Sequence, residues 1–336
     1  MSRRDIVAIG ASAGGIEALQ HLMSKLPANF EAALLVTLHL AEDYASGLDR
    51  ILTRSGSLPV RFAASGEKIE GGQVYLARSQ CHLLLTRERR LEFGHGPREN
   101  SARPAIDPMF RSVALCCGSS AIGVVLTGML GDGAAGLLAI KQCGGVTVVQ
   151  EPSDAAFSEM PMNALQQSQP DHVVTSAVLP ALLKKLVQLP AGKTVPASDR
   201  LRFEVEIARG RRSEMSEMDR IGRRSVLACP DCHGVMWEID EGELVRYRCH
   251  VGHAHTAESM RYAIDDNLAR ALASALRALD ERVAVAEKLR DKAIADNHNR
   301  SVEWWQRRVD ETGREAEIIR EAILRMEQVG GESVDR

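Results

Sequence analysis

The stretch that decides the fold is IVAIGASAGGI, residues 6–16. Four apolar residues lead into a turn of small residues, and apolar positions at helical spacing continue to Leu26. The pattern therefore predicts a strand, a tight turn and a helix. The turn contains three glycines and a single reactive side chain, Ser12. Because glycine permits sharp turns and close approach, this turn is suited to expose Ser12 or to bind a ligand.

The composition is typical of a globular protein with more than one domain. The chain has 336 residues, a formal net charge of −3 and 4% aromatic residues. This length predicts two or more domains, and the near-neutral charge with few aromatic residues argues against nucleic-acid binding. No apolar run approaches the roughly 20 residues of a bilayer span, and no signal-peptide pattern precedes the first strand. We therefore expect a cytoplasmic protein without membrane insertion.

Hydrophobic periodicity divides the chain into four segments. Strand-like and helix-like segments alternate up to about residue 189, which predicts a doubly wound, mostly parallel sheet covered by helices. A polar stretch follows that is typical of a linker, in which residues 203–207 could form a short strand. The predicted boundaries are 1–189 for the α/β domain, 190–225 for the linker, 226–255 for a cysteine/histidine module, and 256–336 for a helical hairpin or coiled coil with a break near 295–299.

Three residues at strand ends suit nucleophilic catalysis. Ser12 follows the first strand, His39 ends the second apolar run, and Asp132 follows a later buried strand. Carboxyl ends of parallel strands meet at one edge of a sheet, so we expect the three side chains there together. An imidazole can take the serine proton, a carboxylate can orient the imidazole, and backbone N–H groups can hold an oxyanion. Ala13 and Met129 are the candidate oxyanion donors.

A dinucleotide-binding turn is the alternative, because Gly-x-x-x-Gly-Gly after a strand is similar to the phosphate cradle of a reductase. Two observations count against a reductase. The second strand ends in His39 instead of a residue that would bind a ribose, and no tyrosine has a lysine four residues later. The spacing alone leaves both interpretations open.

Four separated motifs follow one another along the chain, namely IVAIGASAGG (6–15), VTLHL (36–40), RPAIDPMF (103–110) and LTGMLGDGAAG (126–136). In sequence and order they resemble the catalytic domain of the chemotaxis protein-glutamate methylesterases, the CheB family. The resemblance covers about residues 5–186, and one departure is Ala13, where members of the family often have threonine. We expect a stand-alone form without the receiver domain that commonly precedes this catalytic domain.

The resemblance implies a reaction and the residues that perform it. Ser12 is the implied nucleophile, His39 the general base and Asp132 the orienting acid, with backbone oxyanion donors near Ala13 and Met129. The implied reaction is hydrolysis of glutamate γ-methyl esters on receptors and, in some members, deamidation of glutamine. The implied partners are a methylated receptor or another signalling protein, with a methyltransferase or a response regulator as further candidates. A catalytically degenerate interaction module is the alternative.

The cysteine and histidine residues of the 226–255 module predict a zinc ribbon. Their spacing is C-x2-C, sixteen residues and C-x3-H, so two ligands from each of two turns would flank a hairpin. A closed set of four ligands predicts a structural Zn²⁺, with a redox CxxC pair as the alternative, and His250 and His255 lie close enough to compete as the fourth ligand. The C-terminal helices are candidates for homo-oligomer formation. The predicted ligands are Cys229, Cys232, Cys249 and His253.

Overall fold

A parallel sheet of seven strands forms the centre of the first part of the protein. The computed structural model describes residues 3–39, 47–241 and 244–331, so Leu40 of the VTLHL motif and residues 332–336 lie outside the described residues. The first nine strands are β1 (Ile6–Ala11), β2 (Ala33–Leu38), β3 (Val60–Phe62), β4 (Val74–Leu76), β5 (His82–Leu85), β6 (Leu91–Gly94), β7 (Ala121–Val125), β8 (Val146–Gln150) and β9 (His172–Val174). The sheet has the order β3-β4-β2-β1-β7-β8-β9, and β5 pairs with β6 as a separate hairpin.

Helices cover both faces of this sheet. Successive residues of the buried strand β1 face opposite layers, with Ile6 and Ala8 in one apolar core and Val7 and Ile9 in the other. Strands buried on both faces read as nearly continuous apolar runs, which is why β1 and β2 are recognisable in the sequence. The predicted doubly wound α/β fold is confirmed. The helices are α1 (Gly15–Lys25), α2 (Leu48–Ser55), α3 (Ile106–Cys117), α4 (Ala134–Gln142), α5 (Glu159–Ser168) and α6 (Leu179–Gln188).

The segment predicted as a linker, 190–225, contains two helices. Residues 203–207 lie inside a helix, α7 (Asp199–Arg209), and α8 (Met215–Ile221) follows it. The Ser198 hydroxyl caps α7 by accepting a hydrogen bond from the Leu201 amide at 3.1 Å. The alternation of charged and apolar residues at 203–207 suggested a strand, yet helical periodicity places Leu201 and Val205 in the α/β core.

A ribbon of four antiparallel strands follows α8. It consists of β10 (Arg223–Ala228), β11 (Val235–Glu241), β12 (Leu244–Cys249) and β13 (Ala254–Thr256), so it begins before the predicted residue 226. The predicted helical hairpin is present as α9 (Ala257–Ala295) and α10 (Asn299–Gly331). The chain divides into two compact units, residues 1–260 and 261–336. Within the described ranges, no helix is both long and apolar enough to cross a membrane.

If α7 belongs to the core, truncating its buried face must destabilise the protein. Ile207 is 0% exposed, so Ile207→Ala should lower the free energy of unfolding by about 2–5 kcal/mol. Val195 lies in the same predicted linker but is exposed. Val195→Ala should therefore change the free energy of unfolding by less than about 0.5 kcal/mol. Urea unfolding monitored by circular dichroism measures both. Equal midpoints for the two variants would contradict the packing of α7.

Candidate active site and candidate metal centre

Strand pairing brings Ser12 and His39 to the same edge of the sheet. Ala11, the last residue of β1, pairs with Leu38, the last residue of β2, so the next residue of each strand is Ser12 and His39. The His39 amide donates to the Ala11 carbonyl at 3.2 Å, which continues the ladder. Adjacent strands lie about 4.8 Å apart, so the two residues are neighbours across the strand ends.

The turn after β1 leaves Ser12 at the start of a helix. The Ser12 amide donates to the Thr127 carbonyl at 3.0 Å. Gly14 has a φ of 72°, a left-handed conformation that glycine adopts without strain, and α1 begins at the next residue. Gly128 closes the other side, because a Cβ there would lie 2.8 Å from Ser12 Cβ. The amino end of α1 favours negative charge close to Ser12.

His39 is oriented by Asp132. The imidazole Nε2 lies 2.8 Å from Asp132 Oδ2, and the Asp132 side chain is 2% exposed. With Nε2 donating to the carboxylate, Nδ1 is the nitrogen that can accept the Ser12 proton. Within the described residues no hydrogen bond joins Ser12 Oγ to His39. Catalytic hydrogen bonds of this kind commonly tighten only when a substrate is bound.

The Asp132 carboxylate is held at the amino end of α3. Burial raises its pKa, but hydrogen bonding and attraction from His39, together with amide donors, outweigh burial and leave the pKa below its usual value. The neighbouring Asp107 carboxylate has the opposite balance, because burial and the charge of Asp132 raise its pKa to about 7. The other donors to Asp132 are the Ile106 amide at 2.6 Å, the Asp107 amide at 3.1 Å and Asn100 Nδ2 at 3.0 Å.

The loop after β7 presents a backbone N–H group beside Ser12. Glu159 accepts from the Leu130 amide at 3.0 Å, and Asn163 donates to the Leu130 carbonyl at 2.8 Å. Leu130 has a φ of 62°, so these two α5 side chains hold a loop conformation that leucine rarely adopts. Among the described residues, the Met129 and Ala13 amides have no hydrogen-bond partner. Both amides are therefore available as donors to an oxyanion.

Sequence patterns did not reveal the residues that support this site. Asn100, Glu159 and Asn163 lie outside all four motifs, and Thr127, although it lies in the motif of Asp132, was not assigned a role. Thr127 Oγ1 donates to the Ala13 carbonyl at 3.0 Å and accepts from the Phe157 amide at 2.9 Å. Only Asn100 carries a local indication of its role in the structure, because asparagine is one of the residue types that tolerate the positive φ found there.

The ribbon gathers the four predicted ligand residues into one group. The ligand atoms of Cys229, Cys232, Cys249 and His253 all lie within 4.8 Å of one another. The other two histidines are placed differently. His255 Nε2 lies 2.9 Å from Asp231 Oδ2, and His250 does not belong to the group of four.

The spacing inside this group fits a tetrahedral metal. Cys232 Sγ and Cys249 Sγ are 3.7 Å apart, and Cys249 Sγ lies 3.5 Å from His253 Nδ1. Zn–S bonds of about 2.3 Å and Zn–N bonds of about 2.0–2.1 Å at tetrahedral angles require edges of about 3.8 and 3.6 Å. Three thiol groups and an imidazole that meet at these distances can bind a metal ion.

Buried ion pairs attach the ribbon to the α/β domain. The guanidinium groups of Arg246 and Arg248 in β12 both bind the Glu204 carboxylate of α7, with Arg246 donating at 2.8 and 3.1 Å. Arg248 also donates to Glu99 at 3.1 Å, and Glu99 is paired with Arg111 of α3. All five side chains are at most 3% exposed. The two β12 arginines are therefore occupied inside the protein and are not part of a phosphate-binding surface.

The fold and the sheet edge define a class of protein. A doubly wound α/β domain carries a serine at a glycine turn, a histidine at the end of the next strand, and a buried carboxylate bonded to that histidine. These residue types at one sheet edge are those expected of a serine hydrolase. The family model for CheB methylesterase matches residues 7–183. The chain belongs to the CheB methylesterase family.

Individual relatives agree with this membership. A putative protein-glutamate methylesterase/protein-glutamine glutaminase of Leptospira interrogans is 34% identical over 184 residues, which cover 55% of this chain and 95% of that protein. A protein-glutamate methylesterase/protein-glutamine glutaminase of Photorhabdus laumondii is 35% identical over 198 residues, 58% of this chain and 56% of that protein. The crystal structure of the Thermotoga maritima CheB methylesterase catalytic domain superposes with a TM-score of 0.53 at 30% identity, over 56% of this chain and all of that one.

The family-model match concerns the α/β domain. The chain spans about half the length of several of its curated relatives, including those of Photorhabdus laumondii and Pseudomonas putida. The family model ends at residue 183, before α7, the ribbon and the helical hairpin.

Asp132→Asn tests the orientation of His39. The amide would favour the wrong imidazole tautomer, so phosphonylation of Ser12 by a fluorophosphonate probe should slow by as much as about 10⁴-fold. Asp171→Asn is the matched control, since Asp171 bonds Thr147 on the distant strand β8. Both rates are measured by intact-protein mass spectrometry. An Asp132→Asn rate within a few fold of the control would rule out Asp132 as the orienting acid.

Proposed function

We propose that this protein is a protein-glutamate methylesterase that uses Ser12, His39 and Asp132. The observation that carries the proposal is the 2.8 Å bond from His39 to a buried carboxylate, on the strand next to the one that presents Ser12. Membership of the CheB family and the activities for which its relatives are named support the same activity. A deamidase activity on glutamine, which those relatives' names also state, would use the same site.

The proposed reaction has two steps. Ser12 Oγ attacks the ester carbonyl while His39 takes its proton, and the Ala13 and Met129 amides stabilise the oxyanion. The tetrahedral intermediate expels methanol, which receives the proton from the imidazolium, and leaves a glutamyl ester on Ser12. A water molecule, deprotonated by His39, then attacks this ester and releases the glutamate carboxylic acid and Ser12. Asp132 keeps its negative charge and stabilises the imidazolium in both steps.

The proposed substrate is a methylated receptor or another methylated signalling protein. A methyltransferase that forms the ester, or a response regulator, is a candidate further partner in such a system. A chemotaxis-like role would place the protein in the cytoplasm, where the thiol groups of the ribbon stay reduced and able to bind metal. The hairpin of α9 and α10 is a candidate homo-oligomer contact, with Trp304 and Trp305 in edge-to-face contact at 4.3 Å beside a groove.

Methanol release from a methylated receptor preparation tests the activity. Ser12→Ala should reduce it to the uncatalysed rate, because no hydroxyl is left to form the acyl intermediate. Ser24→Ala, which changes an exposed serine in α1, should release methanol at the wild-type rate. Methanol formed by Ser12→Ala at a rate comparable to the control would refute the proposed mechanism.

We further propose that the ribbon binds one structural Zn²⁺ through Cys229, Cys232, Cys249 and His253. The fit of the sulfur–sulfur and sulfur–nitrogen distances to tetrahedral edges supports this assignment. A hydrogen bond with Cys229 and a second one with His253 hold the pKa of the Cys249 thiol well below its ordinary value. The metal would contribute folding energy to a ribbon whose own apolar core is small.

Elemental analysis tests the metal site. Purified protein should contain about one zinc per chain, and Cys232→Ser should lose most of it because one of four ligands is removed. Cys116→Ser is the matched control, since Cys116 donates to the Leu85 carbonyl far from the ribbon. Thermal unfolding should then show a lower midpoint for Cys232→Ser only. Wild-type protein refolded with zinc that retains none would overturn the assignment.

A further inference from the structure

Asn100 lies between the proposed catalytic carboxylate and the ribbon, and its side chain bonds both. It is 7% exposed and precedes α3. Its Nδ2 donates to Asp132 Oδ1 at 3.0 Å and to Asp107 Oδ2 at 3.1 Å. Its Oδ1 accepts from the Thr256 amide and from Ser259 Oγ, both at 2.9 Å. The Asn100 side chain therefore donates to the two acids at the proposed active site and accepts from the ribbon and α9.

The backbone of Asn100 is fixed by the same segment. Its amide donates to the Ala254 carbonyl at 2.7 Å. Ala254 directly follows His253, and the His253 carbonyl accepts from the Cys249 amide at 2.9 Å. The segment that binds Asn100 therefore directly follows His253 in the chain, and His253 is hydrogen-bonded to Cys249, another proposed metal ligand.

Ion pairs hold together the two segments that meet at Asn100, namely the loop before α3 and the ribbon. Arg248 precedes Cys249 and donates to Glu99, the neighbour of Asn100, at 3.1 Å, and to the Gly252 carbonyl at 2.8 Å. Removing one partner of such a buried pair is strongly destabilising, since it leaves an uncompensated charge. These ion pairs therefore hold the backbone next to Asn100 against β12.

We propose that Asn100 is a positioning residue for the triad and that the metal-loaded ribbon holds it against Asp132, so that the state of the ribbon sets the reactivity of Ser12. The inference rests on the proposed function only in taking Ser12 as the nucleophile. Asparagine is suited to this role because it accepts a φ of 50° and offers a donor and an acceptor on one side chain. Its Nδ2 also separates the two acids Asp132 and Asp107.

Asn100→Asp tests the positioning role. The introduced carboxyl lies beside Asp132 and Asp107. Once it ionises it cannot donate to Asp132, and its added charge stabilises a protonated His39. The rate constant for fluorophosphonate labelling of Ser12 should fall by about tenfold or more, and the acid limb of its pH profile should move to higher pH. The charged or titratable groups around Asp132 that the variant leaves in place are His39, His82, Glu99, Asp107, Arg111 and Glu258.

Asn297→Asp is the matched control. Asn297 also has a positive φ, 55°, but it is exposed in the turn between α9 and α10, so its labelling rate and pH profile should equal those of the wild type. Ser259→Ala keeps Asn100 intact and removes one donor to its Oδ1, so it should lower the rate by a few fold without unfolding the domain. Asn100→Asp and Ser259→Ala proteins that label like the control at every pH would overturn the proposal.

Metal removal tests the role of the ribbon with a second readout. In full-length wild-type protein stripped with a chelator, hydrogen exchange of the Thr256 amide should accelerate and labelling of Ser12 should slow, and added Zn²⁺ should reverse both. Unchanged labelling in stripped protein would contradict the coupling, whether or not the amide exchanges faster. Labelling without methanol release would overturn only the proposed substrate, whereas wild-type protein that the probe does not label would overturn both proposals.

Discussion

The buried carboxylate of Asp132 is the constraint on which the site depends. A charged group that is 2% exposed must be fully hydrogen-bonded, because transferring it from water without partners costs several kcal/mol. Its partners come from three places: His39 at the end of β2, the first amides of α3, and Asn100 before α3. The charge of Asp132 therefore fixes where β2, α3 and the preceding loop meet, and the orientation of His39 follows from that meeting.

A second group of buried charges, which must also be compensated by partners, links the ribbon to the α/β domain. Glu99 and Glu204 are buried, and burial alone would raise the pKa of each carboxyl. Arg111 and Arg248 at Glu99, and Arg246 and Arg248 at Glu204, outweigh burial and hold both pKa values below the ordinary range. Four segments supply these groups, namely the loop before α3, α3 itself, α7 and β12. Because the charges compensate each other only when the elements are together, the ribbon and α7 are parts of the unit that contains the α/β domain.

Different parts of the protein were predictable from sequence to different degrees. β1 and β2 are buried on both faces and read as apolar runs, so the parallel sheet and the positions of Ser12 and His39 could be predicted. The helix α7 was not predicted, because the alternation of charged and apolar residues at 203–207 is typical of a strand and because its buried residues include the charged Glu204. The same holds for Arg246 and Arg248, which count as exposed in a pattern of apolar positions although both are buried against that glutamate.

The sequence by itself determined the α/β fold, the family, and the residues that are candidates for the nucleophile, base, acid and metal ligands. These features follow from local patterns: apolar runs, a glycine turn, and cysteine and histidine spacing. Only the tertiary structure decided which groups form hydrogen bonds and ion pairs with one another. Asn100 lies 156 residues from Thr256 in the chain, and Asp132 lies 93 residues from His39. Hydrogen bonds and ion pairs between such distant residues depend on how elements pack, and no short pattern in the chain records that packing.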